Sequence, residues 1–229
     1  MFPIYKNSKK ALKETDKFYL LKSGFSYDID YVVSWLKNNI GIPEGNAKIL
    51  DLCCGDGIWS YGFKKINPKL ELYGCDISTG GIKKANELMG SSNFIVCDAE
   101  KSLPFDENFF DLIFCRGPGL YNQHSFNTKA AKKIITNWHS LLKKDGLFYS
   151  IFASNQSKFN TYTDMKDSVL PYNRSPRKSK AVNFKGGKFH HSIQSFTKPF
   201  LEIGEIDILE YKFSKNLHTL ITVRKNDFK

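Results

Sequence analysis

The chain has 229 residues, 41% hydrophobic and 14% aromatic, which suits one large domain or a domain with a cap and excludes a disordered chain. A formal net charge of +11 raises nucleic acid as a partner. Arginine, which makes the bidentate phosphate and base contacts, stands only at Arg116, Arg174, Arg177 and Arg224, so nucleic acid is admitted but not favoured.

No apolar run approaches the roughly 20 residues that cross a bilayer, and the lysine-bearing N-terminus lacks the apolar centre of a secretion signal. The five cysteines form no CxxC pair. A reduced, cytoplasmic protein with no membrane association is expected.

Residues 1–46 read as a helical N-terminal cap, ahead of a core over 47–229. Lys48–Cys53 is the first short apolar run and reads as a buried strand. Glu71–Cys75, Asn93–Cys97, Phe109–Cys115 and Gly146–Phe152 repeat the pattern, each bounded by polar or turn residues. Helical patterns lie between them. Ser78 can cap a helix over TGGIKKANELM. The segment TKAAKKIITNWHSLLKKDG places Ala130, Ile134, Ile135, Trp138, Leu141 and Leu142 on one face, with Lys143, Lys144 and Gly146 as stop signals.

Alternating strands and helices predict an α/β protein, a doubly wound and mostly parallel sheet covered on both faces. Residues 153–188 are polar and basic and read as an insertion after the fifth strand. Pro199 must start, kink or break any helix over SIQSFTKPFLEIG. The chain then closes with two strands, Glu205–Phe213 and Leu217–Arg224, joined by Ser214, Lys215 and Asn216 as an antiparallel hairpin.

The stretch ILDLCCGDGIWS puts Gly55 and Gly57 between the first strand and a helix. That turn brings backbone N–H groups and a positive helix end close to a ligand. A dinucleotide fingerprint needs glycine or alanine where Ser60 stands. Asp76 follows Asp51 by 25 positions, at the end of the second strand, where a carboxylate can accept from both ribose hydroxyls. Asp98 and Ala99 end the third strand, where an acid and a backbone N–H can read an adenine edge.

In this order ILDLCCGDGIWS, YGCDIS, FIVCDAEKSLPF, FDLIFC and LLKKDGLFYSIF resemble the successive motifs of the class I, Rossmann-like S-adenosylmethionine-dependent methyltransferases, over about residues 46–152. The resemblance implies a seven-stranded sheet with an antiparallel last strand, S-adenosyl-L-methionine as cofactor and S-adenosyl-L-homocysteine as product. It implies a cofactor site at Asp51, Cys53, Gly55, Gly57, Asp76, Ile77, Asp98, Ala99 and Cys115, with Asp51 toward the methionine ammonium and Tyr19 folding over from the cap. Cys53 stands where the family often has glycine.

After the fourth strand, Gly117-Pro118-Gly119-Leu120-Tyr121 does not match the Asn/Asp-Pro-Pro-aromatic motif of DNA amino-methyltransferases, and Cys115-Arg116 supplies no metal-binding acid. The broad small-molecule branch remains, with no metal, since ligand spacing is absent among the cysteines. Arg116, Tyr121, Arg174 and Arg177 are candidates to hold an acceptor. Tyr121, His124, His190 and His191 are candidate bases; His139 and His218 read as structural.

The expected activity is methyl transfer to an O or N atom of a small polar or anionic acceptor. The alternatives are an RNA-modifying methyltransferase using the basic insertion, or a non-catalytic cofactor-binding subunit. The insertion, with Gly186-Gly187 as a hinge, is expected to cover the acceptor pocket.

Overall fold

The computed structural model describes residues 16–20, 24–118, 128–155, 170–172, 198–204, 206–213 and 216–225. Residues 16–20 are helical, and helix α1 (Ile29–Asn39) follows, with the Asp28 side chain accepting from the Tyr31 amide at its start. The core then runs β1 (Lys48–Leu52), α2 (Ile58–Ile66), β2 (Glu71–Asp76), α3 (Thr79–Met89), β3 (Phe94–Val96) and β4 (Phe110–Arg116). It continues through α4 (Thr128–Ser140), β5 (Leu142–Asn155), β6 (Leu170–Tyr172), β7 (Ile206–Phe213) and β8 (Asn216–Arg224).

The strands form one sheet in the order β3-β2-β1-β4-β5-β8-β7-β6. The five strands from β3 to β5 are parallel, and β8 lies antiparallel between β5 and β7. The seven expected strands are therefore present, with the last one antiparallel. An eighth, β6, adds three residues to the β7 edge from inside the segment expected to be an insertion. Order reverses between β1 and β4, the switch point where ligands bind in doubly wound sheets.

Both faces of the sheet are covered. On one, Val32, Trp35 and Leu36 of α1 pack with Phe63 of α2, Ile82 of α3 and the strand residues Ile49, Leu72 and Phe114. On the other, Ile135 and Trp138 of α4 pack with Phe200, Leu50, Phe110 and Phe148. Alternation along β1 decides this: Ile49 and Asp51 face α2, while Leu50 and Leu52 face α4.

Gly62 lets α1 and α2 meet. A Cβ there would lie 2.5 Å from Val32 Cγ1 and 3.0 Å from Leu36 Cδ1. Gly62→Ala gains about 1 kcal/mol of helix propensity and meets overpacking of about 1–3 kcal/mol. A net loss of about 1 kcal/mol is expected in urea unfolding; a more stable variant would show that the helices can part freely.

Three local expectations need correction. Helix α4 ends at Ser140, and β5 begins at Leu142 rather than Gly146, because Leu142 pairs with Phe110 across a register shift in β4. Leu141 and Leu142 are buried there as strand-entry residues, not as a helix face. Ala130 is exposed, and Ala131 takes the core position instead. Pro199 lies within the helical residues 198–201.

Candidate functional site

The candidate residues converge at the carboxyl ends of the parallel strands. After Leu52 the chain turns sharply. Cys53 holds φ at 60°, Gly55 at 56° and Gly57 at 75°. Cys53 thus occupies the left-handed region, where a side chain costs about 1–2 kcal/mol; this is the physical reason the resembling motif favours glycine there. Gly57 is the N-cap of α2, and a Cβ on it would lie 2.8 Å from Ala85 Cβ of α3. Gly81 lies against the Gly55 carbonyl, with room for no side chain.

Asp76 organises this turn. Its Oδ2 accepts from the Gly55 amide at 3.0 Å and its Oδ1 from the Ser78 amide at 2.9 Å. Each carboxylate oxygen keeps a further lone pair for a ligand hydroxyl. Asp51 is 2% exposed, and its Oδ2 accepts from Ser60 Oγ at 2.6 Å. Serine at residue 60, which argued against a dinucleotide fingerprint, is thus the hydrogen-bond partner of Asp51. Asp56, 1% exposed, accepts from the amide and hydroxyl of Ser26.

Burial pushes the Asp51 carboxyl up to about 7, the Ser60 hydrogen bond opposing it and nearby Asp76 and Asp56 adding to it. Burial likewise raises Asp76 to about 6, against the amides of Ser78 and Gly55. Among the described residues no ion pair reaches Asp51, Asp56 or Asp76. Three buried acids without a cation fit a ligand that carries positive charge, and they oppose a pyrophosphate.

Farther along the sheet edge, Asp98 is half-buried, paired with Lys101 at 3.1 Å and accepting from the Glu100 amide. The Ala99 carbonyl accepts from Trp138 Nε1 at 2.6 Å, which anchors the loop after β3 to α4. Ile77 is half-buried between Asp76 and the Ser78 cap. Cys115 is buried at the end of β4, and its thiol, together with burial, pushes the Cys53 thiol well up from its ordinary value. The ring of Tyr19, 7% exposed, lies on Gly55 and Gly81.

Arg116 ends β4 beside the switch point. Its guanidinium carbon lies 4.2 Å from the centre of the Tyr27 ring and 5.1 Å from that of Trp59. His218 pairs with Ala153 at the far end of β5, where burial and the Arg116 charge lower its pKa to about 4. It is therefore neutral at pH 7 and within electrostatic reach of Arg116, a placement the strand pattern did not reveal. Tyr121, His124, Arg174, Arg177, His190 and His191 lie outside the described residues, as does most of the expected lid. Sequence reasoning also passed over Asp16, Ser26, Asp56 and Trp59. Only Asp56, inside the glycine turn, carried a signal that could have singled it out.

A sheet that switches order beside a glycine turn, with an acid ending β2 and buried acids beneath, fits the class I S-adenosylmethionine-dependent methyltransferase fold. Residues 49–146 match the methyltransferase domain family, and the fold is that of the class I S-adenosylmethionine-dependent methyltransferases. It is 28% identical over 170 residues to malonyl-(acyl-carrier protein) O-methyltransferase 2 of Ilyobacter polytropus, covering 72% of this chain and 58% of that protein.

Magnesium protoporphyrin IX methyltransferase from Synechocystis PCC 6803, solved with bound S-adenosylmethionine, shares the fold at a TM-score of 0.55 and 16% identity, over 93% of this chain and 91% of that one. The Haemonchus contortus N-methyltransferase 2, solved with phosphomonomethylethanolamine and S-adenosylhomocysteine, gives 0.58 and 14%, over 86% of this chain and 53% of that one. Among the described residues no helix is long and apolar enough to cross a membrane.

The family's cofactor fits the residues present. Its sulfonium and ammonium carry positive charge that no ion pair among the described residues brings to Asp51, Asp56 and Asp76, and the glycine turn admits no Cβ at residues 57 and 81.

Proposed function

We propose that the chain transfers a methyl group from S-adenosylmethionine to an oxygen or nitrogen of a small polar or anionic acceptor. In this reading Asp76 holds the ribose, Asp98 and Ala99 meet the adenine, and Asp51 faces the ammonium. The observation that carries the acceptor class is Arg116. Its guanidinium lies over the Tyr27 and Trp59 rings at the end of β4, which holds a planar cation beside the switch point, and such a fork matches a carboxylate or phosphate.

The cofactor supplies a methyl carbon on a good leaving group. The acceptor's lone pair forms the new bond to that carbon as the carbon–sulfur bond breaks, so in-line placement does most of the work. An ionised oxygen brings its own lone pair and needs no base; a protonated nitrogen or hydroxyl must lose a proton. The names of the similar proteins support an anionic acceptor, since one acts on malonyl-(acyl-carrier protein) and another was solved with a phosphate-bearing amine.

The test is S-adenosylhomocysteine release with a panel of small carboxylates and phosphorylated amines, each set beside its uncharged analogue. Turnover is expected with the anionic members. Arg116→Ala should raise their KM by about tenfold, the loss of one hydrogen-bonded charge. Turnover confined to the uncharged analogues, or an unchanged KM, would overturn the anionic reading.

A further inference from the structure

We propose that Cys75 and Cys97 form an oxidation site, a thiol pair that a peroxide converts to a disulfide and that in this form loosens the cofactor site. The loosening rests on the cofactor reading given above; the oxidation does not. All five cysteines are free thiols. Cys75 of β2 stands opposite Ile95 of β3, and Cys97 follows Ile95 by two residues. Side chains two apart along a strand share a face. Cys75 lies in the core on the α4 side of the sheet, and Ile95 and Cys97 both pack against that core. The Cys97 amide donates to the Asp76 carbonyl at 3.0 Å, which pins the end of β3 to β2 one residue past Cys75.

The two thiols have unequal roles. Cys97 is half-buried, so a small oxidant reaches it, whereas Cys75 is fully buried. The Cys75 thiol lowers that of Cys97 from its ordinary value, against burial and the charges of Asp98 and Asp76. Cys97, together with burial, pushes Cys75 well up. Cys97 therefore ionises first, and the thiolate is the nucleophile. The Cys115 thiol and burial push Cys53 up, and burial pushes Cys54 up, so neither competes with Cys97.

One molecule of hydrogen peroxide balances the reaction. The Cys97 thiolate attacks a peroxide oxygen, the oxygen–oxygen bond breaks, hydroxide leaves and a sulfenic acid forms. The Cys75 sulfur then attacks the Cys97 sulfur, the sulfur–oxygen bond breaks, and the departing hydroxide takes the Cys75 proton as water. The two thiols lose two electrons and two protons, and the peroxide becomes two waters.

Strand geometry couples this bond to the cofactor site. A strand spacing of about 4.8 Å and two residues of about 3.3 Å each set diagonal Cα atoms about 8 Å apart. A disulfide spans about 4.4–6.8 Å between Cα atoms, so closing it draws Cys97 toward β2 by about 1–2 Å. β3 has three residues and lies at the edge of the sheet, so its end yields rather than β2. Asp98 and Ala99 come next in the chain and are pulled with it, against the Trp138 Nε1 bond to the Ala99 carbonyl at 2.6 Å.

The experiment treats the whole chain with hydrogen peroxide and removes the excess with catalase. It reads intact mass and a map of linked and alkylated cysteine peptides, then titrates S-adenosylhomocysteine by calorimetry before oxidation, after it, and after reduction with dithiothreitol. The wild type should lose the mass of two hydrogens and link the Cys75 and Cys97 peptides. Its affinity should fall about tenfold, within the usual range of coupling between sites, and return with the dithiol. Cys97→Ser should stay unlinked and keep its affinity under peroxide. Cys75→Ala should hold the sulfenic acid on Cys97, where dimedone labels it.

Cys75 and Cys97 left unlinked by peroxide would overturn the site, as would a link between Cys53 and Cys115 in their place. A Cys75–Cys97 link with unchanged affinity, or a loss of affinity that dithiothreitol does not reverse, would overturn the coupling. If either variant fails to fold, the wild-type peptide map and its reversal by dithiothreitol decide alone. Reduced wild-type protein that bound no S-adenosylhomocysteine would remove the cofactor reading and the coupling with it, while the peptide map would still decide the thiol pair.

Discussion

Replacing Asp76 with alanine is expected to weaken S-adenosylhomocysteine binding by roughly 10- to 150-fold, about 1.5–3 kcal/mol, the range for hydrogen bonds to a charged group. Two losses combine. The ribose hydroxyls lose their acceptor, and the Gly55 and Ser78 amides lose the carboxylate that ties the glycine turn to the start of α3. The wild-type affinity should also depend on pH. Hydroxyl donors favour the ionised carboxylate, and Asp76 titrates near 6 when buried and unliganded. Binding should therefore tighten as pH rises from 5 to 7, and the alanine variant should lose much of that slope. Calorimetry showing equal affinity for the variant would take Asp76 out of the site.

Much of this site was legible because its residues lie at strand ends, and strand ends are marked locally. Asp51, Gly55, Gly57, Asp76, Asp98 and Arg116 each follow a short apolar run, and one sheet brings their edges together. Ser78 was legible as a cap because capping is decided within three residues. What escaped was non-local. Asp56 meets Ser26 across 30 positions, and Asp16 meets Ser78 across 62, so neither partner is marked by its neighbours in sequence. His218 looked like an ordinary strand residue until antiparallel pairing set it beside the end of β5. The start of β5 was missed for a related reason. Leu141 and Leu142 continue the helical period of α4, but pairing with β4 outweighs that propensity.

Asp51→Asn is expected to make the ligand-free protein more stable at pH 8 while nearly abolishing cofactor binding. The folded Asp51 carboxyl titrates near 7 against an ordinary value of 3.8. A raised acid binds its proton more tightly when folded. Its contribution to stability is complete below about pH 4 and is lost as pH rises through 7, where the buried group must ionise. Asp76 adds the same trend near 6. The thermal midpoint of the wild type should fall between pH 5 and pH 8.

Asparagine keeps an oxygen for Ser60 and removes the titration. Its midpoint should change less with pH and lie several degrees above wild type at pH 8, at about 2–4 °C per kcal/mol for a chain of this size. The price appears in binding, because a neutral amide offers nothing to an ammonium. S-adenosylmethionine should raise the wild-type midpoint more at pH 8 than at pH 5, since its positive charge compensates the ionised acids, and it should barely move that of the variant. If Asp51→Asn is less stable at pH 8, or still binds with wild-type affinity, the buried charge is not held for the cofactor and Asp51 serves the fold alone.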